Sequence, residues 1–328
     1  MTFAVSVIIP TYNRELVFAA IASVMAQRGV EFELIVVDDG STDDTWQRLE
    51  VCAAQARDVI RVVRAPHRGV AAARNIGIAM ATAPLIAFLD SDDTWAPGKL
   101  ARQTEFMRTN PRCVISQTEE VWIRDGRRVN PGLRHRKRAG DIFVDSLRTC
   151  LISPSAAIVR AECLREAGGF DEDLIAAEDY DLWLRILVDH EAGLIDEALV
   201  TRHAGHPGQL SMTVPALDRY RILGLLKLLA WNASARDGCA LNEERRHIVC
   251  DTLGEKCAIY AQGLSRRGRR EAADLMNGFA VAARGRWRMG AREGLNQATA
   301  AMRLHLNDQT RADSTAANRT PAHLAVRS

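Results

Sequence analysis

Short apolar runs recur through the first part of the chain, and most of them end at a polar cluster. Four runs of this kind are present, at Val5–Ile9, Glu33–Val37, Ile60–Val63 and Leu85–Leu89. The segments between them carry apolar residues at helical spacing, from Leu16 onward and again over 69–80. Strands that alternate with helices predict βαβ units, and hence an α/β fold with a mainly parallel sheet and helices on both faces.

The polar clusters stand where ligands of such sheets bind, outside the carboxyl ends of the strands. The first strand is followed by 11–14, the second by Asp38 and Asp39, and the fourth by 90–93. Packing alone does not require three polar clusters on one edge of a sheet. The sequence therefore predicts a carboxylate-rich pocket there.

Asp90 and Asp92 are separated by one residue, so both carboxylates can face one divalent cation that also binds phosphate oxygens. The alternative is a polar turn, since Asp and Ser are common turn residues. Asp38 or Ser41 alone could cap the helix that follows, so capping does not account for Asp39. The Asp39 carboxylate can accept hydrogen bonds from a ligand. Tyr12 offers a flat ring on which a base could stack.

Composition narrows the class of protein. The 328 residues are 47% hydrophobic, and the formal net charge of +2 does not favour nucleic acid as a partner. The seven cysteines include no CxxC pair, which is typical of reduced thiols in a cytoplasmic protein. The sequence has no recognisable signal peptide or membrane-spanning run, so we expect a cytoplasmic protein, at most peripheral to the inner face of the membrane.

Two segments are strongly basic. Residues 124–138 hold seven Arg or Lys against one Asp, and 266–292 is also rich in Arg. A solvated face explains either segment. An anionic acceptor, a pyrophosphate group or a membrane of anionic lipids would also explain them.

The pattern changes along the rest of the chain. Strands are predicted at Cys113–Ser116 and Ala156–Val159, and a helix at Tyr180–Val188. After Pro215 long helical patterns follow, and Gly268 interrupts two of them as in a helical hairpin. We therefore predict a catalytic domain over 1–214, a helical region over 215–306 and a disordered tail over 307–328.

Seven motifs occur in a fixed order and resemble those of family 2 glycosyltransferases with the GT-A fold. They are Val7–Arg14, Ile35–Asp43, Gly69–Gly77, Phe88–Asp93, Ser153–Ser155, Gly168–Glu172 and Glu178–Arg185. The resemblance covers about residues 3–210 and leaves out the helical region.

This resemblance implies a role for each matching residue. The nucleotide of the donor would be held by Pro10, Thr11, Tyr12, Arg14, Asp39, Arg74 and Asp90. Asp92 would bind Mn²⁺ or Mg²⁺ directly, with help from Asp90 and His206. Asp179 would be the catalytic base, with Ser155, Glu178 and Trp183 on the side of the acceptor and the donor sugar.

The implied activity is transfer of a sugar from a nucleotide-sugar, UDP-linked in the family pattern, to a hydroxyl of a carbohydrate or lipid-linked carbohydrate. The displacement would be metal-dependent and inverting. A non-catalytic scaffold is an alternative, although Asp92 and Asp179 are both present. A nucleotidyltransferase would need a glycine-rich phosphate loop where 10–14 stand. The donor sugar, the linkage and the oligomeric state stay open.

Overall fold

The computed structural model describes residues 3–130, 132, 135–205, 209, 214–232, 241–285 and 292–317. The chain divides into two compact units, Met1–Pro215 and Ala216–Ser328. The first unit is a sheet with helices on its faces, and the second is helical.

Four parallel strands form one half of the sheet, in the order β3-β2-β1-β4. They are β1 (Val5–Thr11), β2 (Phe32–Asp38), β3 (Ile60–Arg64) and β4 (Leu85–Phe88). Each lies within two residues of a predicted strand, because a strand covered on both faces is apolar along its whole length. Every residue of β1 is buried.

The helices of this half connect successive strands. They are α1 (Val17–Met25), α2 (Thr45–Gln55) and α3 (Val70–Met80). Helix α3 packs closely on β1, since a Cβ added at Gly77 would lie 2.4 Å from Cγ2 of Ile8. Helix α4 (Lys99–Thr109) follows the short strand β5 (Thr94–Trp95).

The other half of the sheet is mixed. It contains β6 (Ile115–Arg124), β7 (Arg127–Val129), β8 (Ile158–Arg160) and β9 (Ala192–Ala204). Strand β8 is antiparallel to both β4 and β6, whereas β6 and β9 are parallel. The α/β fold is thus confirmed, with a sheet of nine strands over the described residues that is less uniformly parallel than predicted.

Two predicted strands differ from the structure. The strand predicted at Cys113–Ser116 is the beginning of the much longer β6. The one predicted at Ala156–Val159 is divided into a 3-10 turn at Pro154–Ala156 and the strand β8. Strand β6 was underestimated because it carries Glu119 and Glu120, whose charges hide a strand from a hydrophobic pattern.

Three helices complete the first unit: α5 (Phe143–Arg148), α6 (Ala161–Glu166) and α7 (Glu178–Leu187). Gly168 and Gly169 both have positive φ, 77° and 70°, at the turn after α6. Ala177 precedes α7 in the left-handed region, at φ 59°, which is uncommon for a residue with a side chain.

The second unit consists of α8 (Asp218–Asn232), α9 (Glu243–Arg266), α10 (Arg270–Arg284) and α11 (Arg292–Ala317). Gly268 lies between α9 and α10 at φ 74°, as the sequence predicted for a hairpin. None of the described helices is long and apolar enough to cross a membrane.

The structure departs from the predicted tail at 307–317, which are helical, while 318–328 lie outside the described residues. Tertiary contacts explain the difference. The Tyr260 hydroxyl lies 3.0 Å from Nε2 of His305, and Arg269 donates to Gln309. The second contact lies beyond residue 306, where the predicted helical region ended.

We expect Gly77→Ala to lower the free energy of unfolding by about 1–3 kcal/mol, because the new methyl group displaces a buried strand residue. The matched control is Gly278→Ala in α10, where a Cβ would meet nothing within 4 Å. That change should stabilise the protein by up to about 1 kcal/mol. Urea unfolding of the two variants checks the sign, and a stabilised Gly77→Ala would contradict the tight α3–β1 contact.

Candidate active site

Asp39 links the ends of β1 and β2 to the start of α3. Its carboxylate accepts the backbone N–H groups of Arg68 and Gly69, each at 2.8 Å, and lies 2.8 Å from Nδ1 of His67. Its own N–H donates to the carbonyl oxygen of Thr11. A carboxylate has about four lone-pair sites, so Asp39 retains capacity to accept a bond from a base.

The loop after β1 supplies the other residues predicted for the nucleotide. Pro10 and Thr11 are buried in β1, and Arg14 is half-buried just beyond it. The exposed ring of Tyr12 stacks on His67, with ring centroids 4.0 Å apart and planes 20° from parallel. One face of the predicted base platform is therefore covered by a histidine that sequence reasoning did not include.

Arg74 joins two distant elements of the site. It is 3% exposed, and its Nη2 and Nη1 bind Asp90 at 2.7 Å and Glu178 at 2.5 Å. Burial alone would lower the pKa of Arg74, but the charges of Asp90 and Glu178 outweigh burial and raise it. The guanidinium stays charged and holds the end of β4 against the start of α7.

Asp179 lies in the first turn of α7, next to Glu178. Its Oδ1 accepts the N–H of Tyr180 at 2.7 Å, and the Cys150 thiol lies 3.5 Å from its Oδ2. Burial raises the pKa of Glu178, against the opposing charge of Arg74. Asp179 is only half-buried, so its carboxylate is the more accessible of the two.

The loop after β4 is fixed by contacts to Ser155, which lies in the 3-10 turn. The Ser155 hydroxyl accepts the N–H of Asp90 at 3.1 Å and donates to Asp93 at 2.6 Å. His203 completes the loop from β9: its N–H donates to Asp93, and its Nδ1 lies 3.0 Å from the carbonyl oxygen of Asp92. Asp93 thus holds the loop to the 3-10 turn and to β9, a role that the sequence did not assign to it.

Arg202 was also missed. Its Nε lies 3.7 Å from Oδ2 of Asp93, and its guanidinium lies 5.0 Å from the ring centroid of Trp122. Burial alone would lower the pKa of Arg202, but Glu120 and the carboxylates of 90–93 raise it. No motif marks Arg202, although its place on a strand adjacent to the acidic loop could have suggested a counter-charge.

Glu120 forms the centre of a buried polar group beside the acidic loop. Its carboxylate binds Nζ of Lys137 at 3.1 Å and Nε1 of Trp122 at 3.1 Å, and also accepts the Ser153 hydroxyl. Burial would raise the pKa of Glu120, but Lys137 and Arg202 lower it to about 2. Glu120 is therefore ionised at neutral pH.

One predicted site residue is buried, and another lies outside the described residues. Trp183 is 2% exposed and packs in the core, with its ring centroid 6.3 Å from that of Phe88 and 6.1 Å from that of Phe170. It is a core residue because the apolar face of α7 must be covered, and it cannot contact a sugar there. His206 lies outside the described residues, whereas His203 contacts the acidic loop.

The donor atoms of this edge suit a hard divalent cation. Asp90 and Asp92 offer carboxylate oxygens, which Mg²⁺ and Mn²⁺ prefer. Across the ranges that the structure describes, no three His, Cys, Asp or Glu side chains form a ready-made metal cluster. Two carboxylates fit a cation that completes its coordination shell with phosphate oxygens and water.

Comparison with known proteins identifies the family to which this chain belongs. Residues 6–168 match the model for glycosyl transferase family 2. The Escherichia coli protein WfgD, a UDP-Glc:alpha-D-GlcNAc-diphosphoundecaprenol beta-1,3-glucosyltransferase, is 31% identical over 59% of this chain and 74% of its own length. The chain belongs to glycosyltransferase family 2.

Other relatives extend well beyond the match. An uncharacterized glycosyltransferase of Rickettsia felis is 35% identical over 60% of this chain, which is 32% of that relative. The match likewise spans 32% of a relative from Rickettsia conorii, so the chain covers about a third of the length of these two relatives.

Solved structures share the fold. S. aureus TarS 1-349 in complex with UDP-GlcNAc aligns with a TM-score of 0.64 at 18% identity, over 88% of this chain and 92% of that one. The mannosyltransferase PcManGT from Pyrobaculum calidifontis, in complex with GDP-Man and Mn2+, aligns at 0.55 with 21% identity, over 93% and 88%. This likeness shows the GT-A fold.

Glu120 predicts a specific pH dependence of stability. A carboxyl whose pKa falls from 4.5 to about 2 on folding contributes stability above pH 4.5, which is lost as the pH falls toward 2. The destabilisation by Glu120→Gln should therefore shrink on acidification, by on the order of 3 kcal/mol if the whole window is accessible.

The neighbouring Glu119 is the matched control. Burial raises its pKa, so its ionisation costs stability as the pH rises through the folded value. Glu119→Gln should remove that cost, and its effect on stability should change with pH in the opposite direction. Urea unfolding of wild type and both variants between pH 7 and pH 3 measures this, and parallel profiles would rule out the Glu120 ion pair.

Proposed function

We propose that this chain transfers a sugar from a UDP-sugar to a hydroxyl group of a lipid-linked sugar, by metal-assisted single displacement with inversion. One observation carries the proposal: Arg74 binds both Asp90 and Glu178. Because Glu178 precedes Asp179, that bridge holds the acidic loop for the donor near a half-buried carboxylate that could accept a proton.

The donor side of the proposal uses the ends of β1 and β2. Thr11, Tyr12 and Asp39 would contact the base and ribose, with Pro10 and Arg14 shaping the loop. Thr11 is a specific candidate, since its Oγ1 is buried without a hydrogen-bond partner among the described residues. UDP is favoured because WfgD is named for UDP-Glc and TarS was solved with UDP-GlcNAc.

Asp92 would hold Mn²⁺ or Mg²⁺, with Asp90 at its side and with His206 as a third candidate. A bound cation stabilises the negative charge that develops on a leaving diphosphate. Ser155 and His203 would keep the loop in position through their bonds to Asp93 and the backbone. The neighbour PcManGT, solved with Mn2+, supports this choice of ion.

Asp179 would act as the base. In one displacement, its carboxylate takes the proton of the acceptor hydroxyl while that oxygen bonds to the anomeric carbon. The bond from that carbon to the diphosphate breaks, and its electron pair leaves with the nucleotide. Attack from the face opposite the leaving group inverts the configuration. Glu178 stays bound to Arg74 and therefore positions the base.

The acceptor proposed is a sugar linked to a lipid through a diphosphate, as in the name of WfgD. Such an acceptor is anchored in a membrane, so the enzyme would work at the membrane surface. We assign the chemistry to residues 1–214 and a role in acceptor docking or assembly to the helices of 215–306. A non-catalytic scaffold would not need Asp92, Arg74 and Asp179 arranged in this way.

The metal is tested through Asp92. Mn²⁺ should raise the affinity of the wild type for UDP, and Asp92→Asn should abolish that increase while leaving metal-free UDP binding intact. Transfer by the variant should fall by about 10²-fold or more. The control is Asp44→Asn, an exposed carboxylate after β2. Calorimetry and donor hydrolysis measure both quantities, and full activity in excess EDTA would exclude a metal.

The base is tested through Asp179→Asn, which keeps the side chain's shape but cannot accept a proton. Transfer should fall by about 10²-fold or more, whereas the affinity for UDP should change little. Asp189→Asn, at an exposed position just after the same helix, is the matched control. A variant within a few-fold of wild type, or a product with retained configuration by NMR, would remove Asp179 from the mechanism.

A further inference from the structure

The ribbon formed by β6 and β7 carries a pair of like charges that forms no ion pair with the residues described. Arg124 lies directly opposite Arg127, across a two-residue turn of Asp125 and Gly126. Both turn residues have positive φ, 49° and 70°, as a tight hairpin of type I′ requires. Like charges directly opposite each other destabilise a ribbon, so this pair costs stability in the free protein.

Within the part of the chain that the structure describes, neither guanidinium is neutralised. Arg124 and Arg127 are exposed, and no carboxylate of the described residues forms an ion pair with either. The stem of Arg124 is nevertheless fixed, since a Cβ at Gly205 would lie 3.0 Å from its Cγ. Two adjacent and uncompensated guanidinium groups form a site for a phosphoryl group, which can accept several charge-assisted hydrogen bonds.

The ribbon lies at the active-site edge. Strand β6 is antiparallel to β8, which is antiparallel to β4, so β6 and β4 run in the same direction. The carboxyl end of β6 therefore projects from the edge of the sheet that carries Asp90. Strand β9, which pairs with β6 along the ribbon, contacts the acidic loop through Arg202 and Asp93.

Arg124 and Arg127 lie on the same face of the sheet as Arg202, which contacts Asp93. Alternate residues of a strand share a face, so Arg124 shares one with Trp122. Trp122 pairs with Arg202 on β9 and lies under its guanidinium. Arg202 and the pair Arg124–Arg127 thus form a cationic row that leads outward from Asp93. The two positions of the row are two residues apart along the strands, which is about 7 Å.

We propose that Arg124 and Arg127 bind the diphosphate group of the acceptor, and so select acceptors in which the sugar is linked through a diphosphate. This inference rests on the proposed function and adds the residues that recognise the acceptor. The donor diphosphate is assigned to the acidic loop and its metal, so this second anion site serves the other substrate.

The test compares adjacent residues on opposite faces. Arg127→Gln removes a charge from the proposed site, while Arg128→Gln removes one from the other face of the same strand, where Arg128 pairs with Ile123. Decyl diphosphate is titrated into the full-length enzyme saturated with UDP and Mn²⁺. Arg127→Gln should weaken its binding about 10-fold and Arg124→Gln/Arg127→Gln further, with Arg128→Gln within two-fold of wild type.

Three outcomes overturn the assignment. The first is an equal loss for Arg127→Gln and Arg128→Gln, or no binding of decyl diphosphate by the wild type. The second is a fall in UDP affinity in Arg127→Gln, which would place the residue in the donor site. The third is binding to phosphatidylglycerol vesicles that requires Arg127 while decyl diphosphate does not bind, which would make the ribbon a membrane contact.

Two controls accompany the titration, the melting temperature of each variant and hydrolysis of the UDP-sugar by the wild type. Each substitution relieves the repulsion between the two arginines and removes no ion pair with a described residue, so the melting temperature should not fall below the wild-type value. A lowered melting temperature disqualifies Arg127→Gln in favour of Arg124→Gln alone. A wild-type enzyme that binds decyl diphosphate through Arg127 but hydrolyses no UDP-sugar would refute the proposed function and leave the anion site standing.

Discussion

The arrangement of the site depends on one buried interaction, the binding of Arg74 to Asp90 and Glu178. A buried guanidinium is costly unless it is paired, and here two carboxylates pair with it at once. Removing one partner of a buried ion pair typically costs about 3–5 kcal/mol, because the remaining charge is left uncompensated. The same interaction that holds β4 against α7 therefore brings the acidic loop and Asp179 together.

Carboxylates outnumber cationic side chains along this edge of the sheet. Arg74, Lys137 and Arg202 face six carboxylates, those of Asp90, Asp92, Asp93, Glu120, Glu178 and Asp179. Asp90, Asp93, Glu120 and Glu178 pair with arginine or lysine, and Asp92 and Asp179 are half-buried. Excess negative charge attracts a divalent cation, and a cation in turn allows a diphosphate to approach. Beyond this edge, the ribbon of β6 and β7 carries exposed arginines, so the charge there has the opposite sign.

The accuracy of the sequence-based prediction varies with how local the signal is. The strands β1 to β4 and the acidic loop were predicted because their apolar runs and turn residues are contiguous in sequence. Trp183 shows the limit of motif reading, because a motif residue can serve packing as well as chemistry, and its 2% exposure became visible only in the structure. Asp93, Glu120 and Arg202 acquire their roles from partners on other strands, which no periodicity reveals.

The sequence alone determined the alternation of strands and helices, the placing of carboxylates at strand ends and the resemblance to family 2, since each depends on neighbours within one element. The tertiary structure decided which charges meet. Arg74 and Glu178 are 104 positions apart, and Arg202 meets Asp93 across 109. Their contacts exist because the antiparallel β8 turns the chain back and aligns β6 and β9 with β4, and no local free energy specifies that pairing.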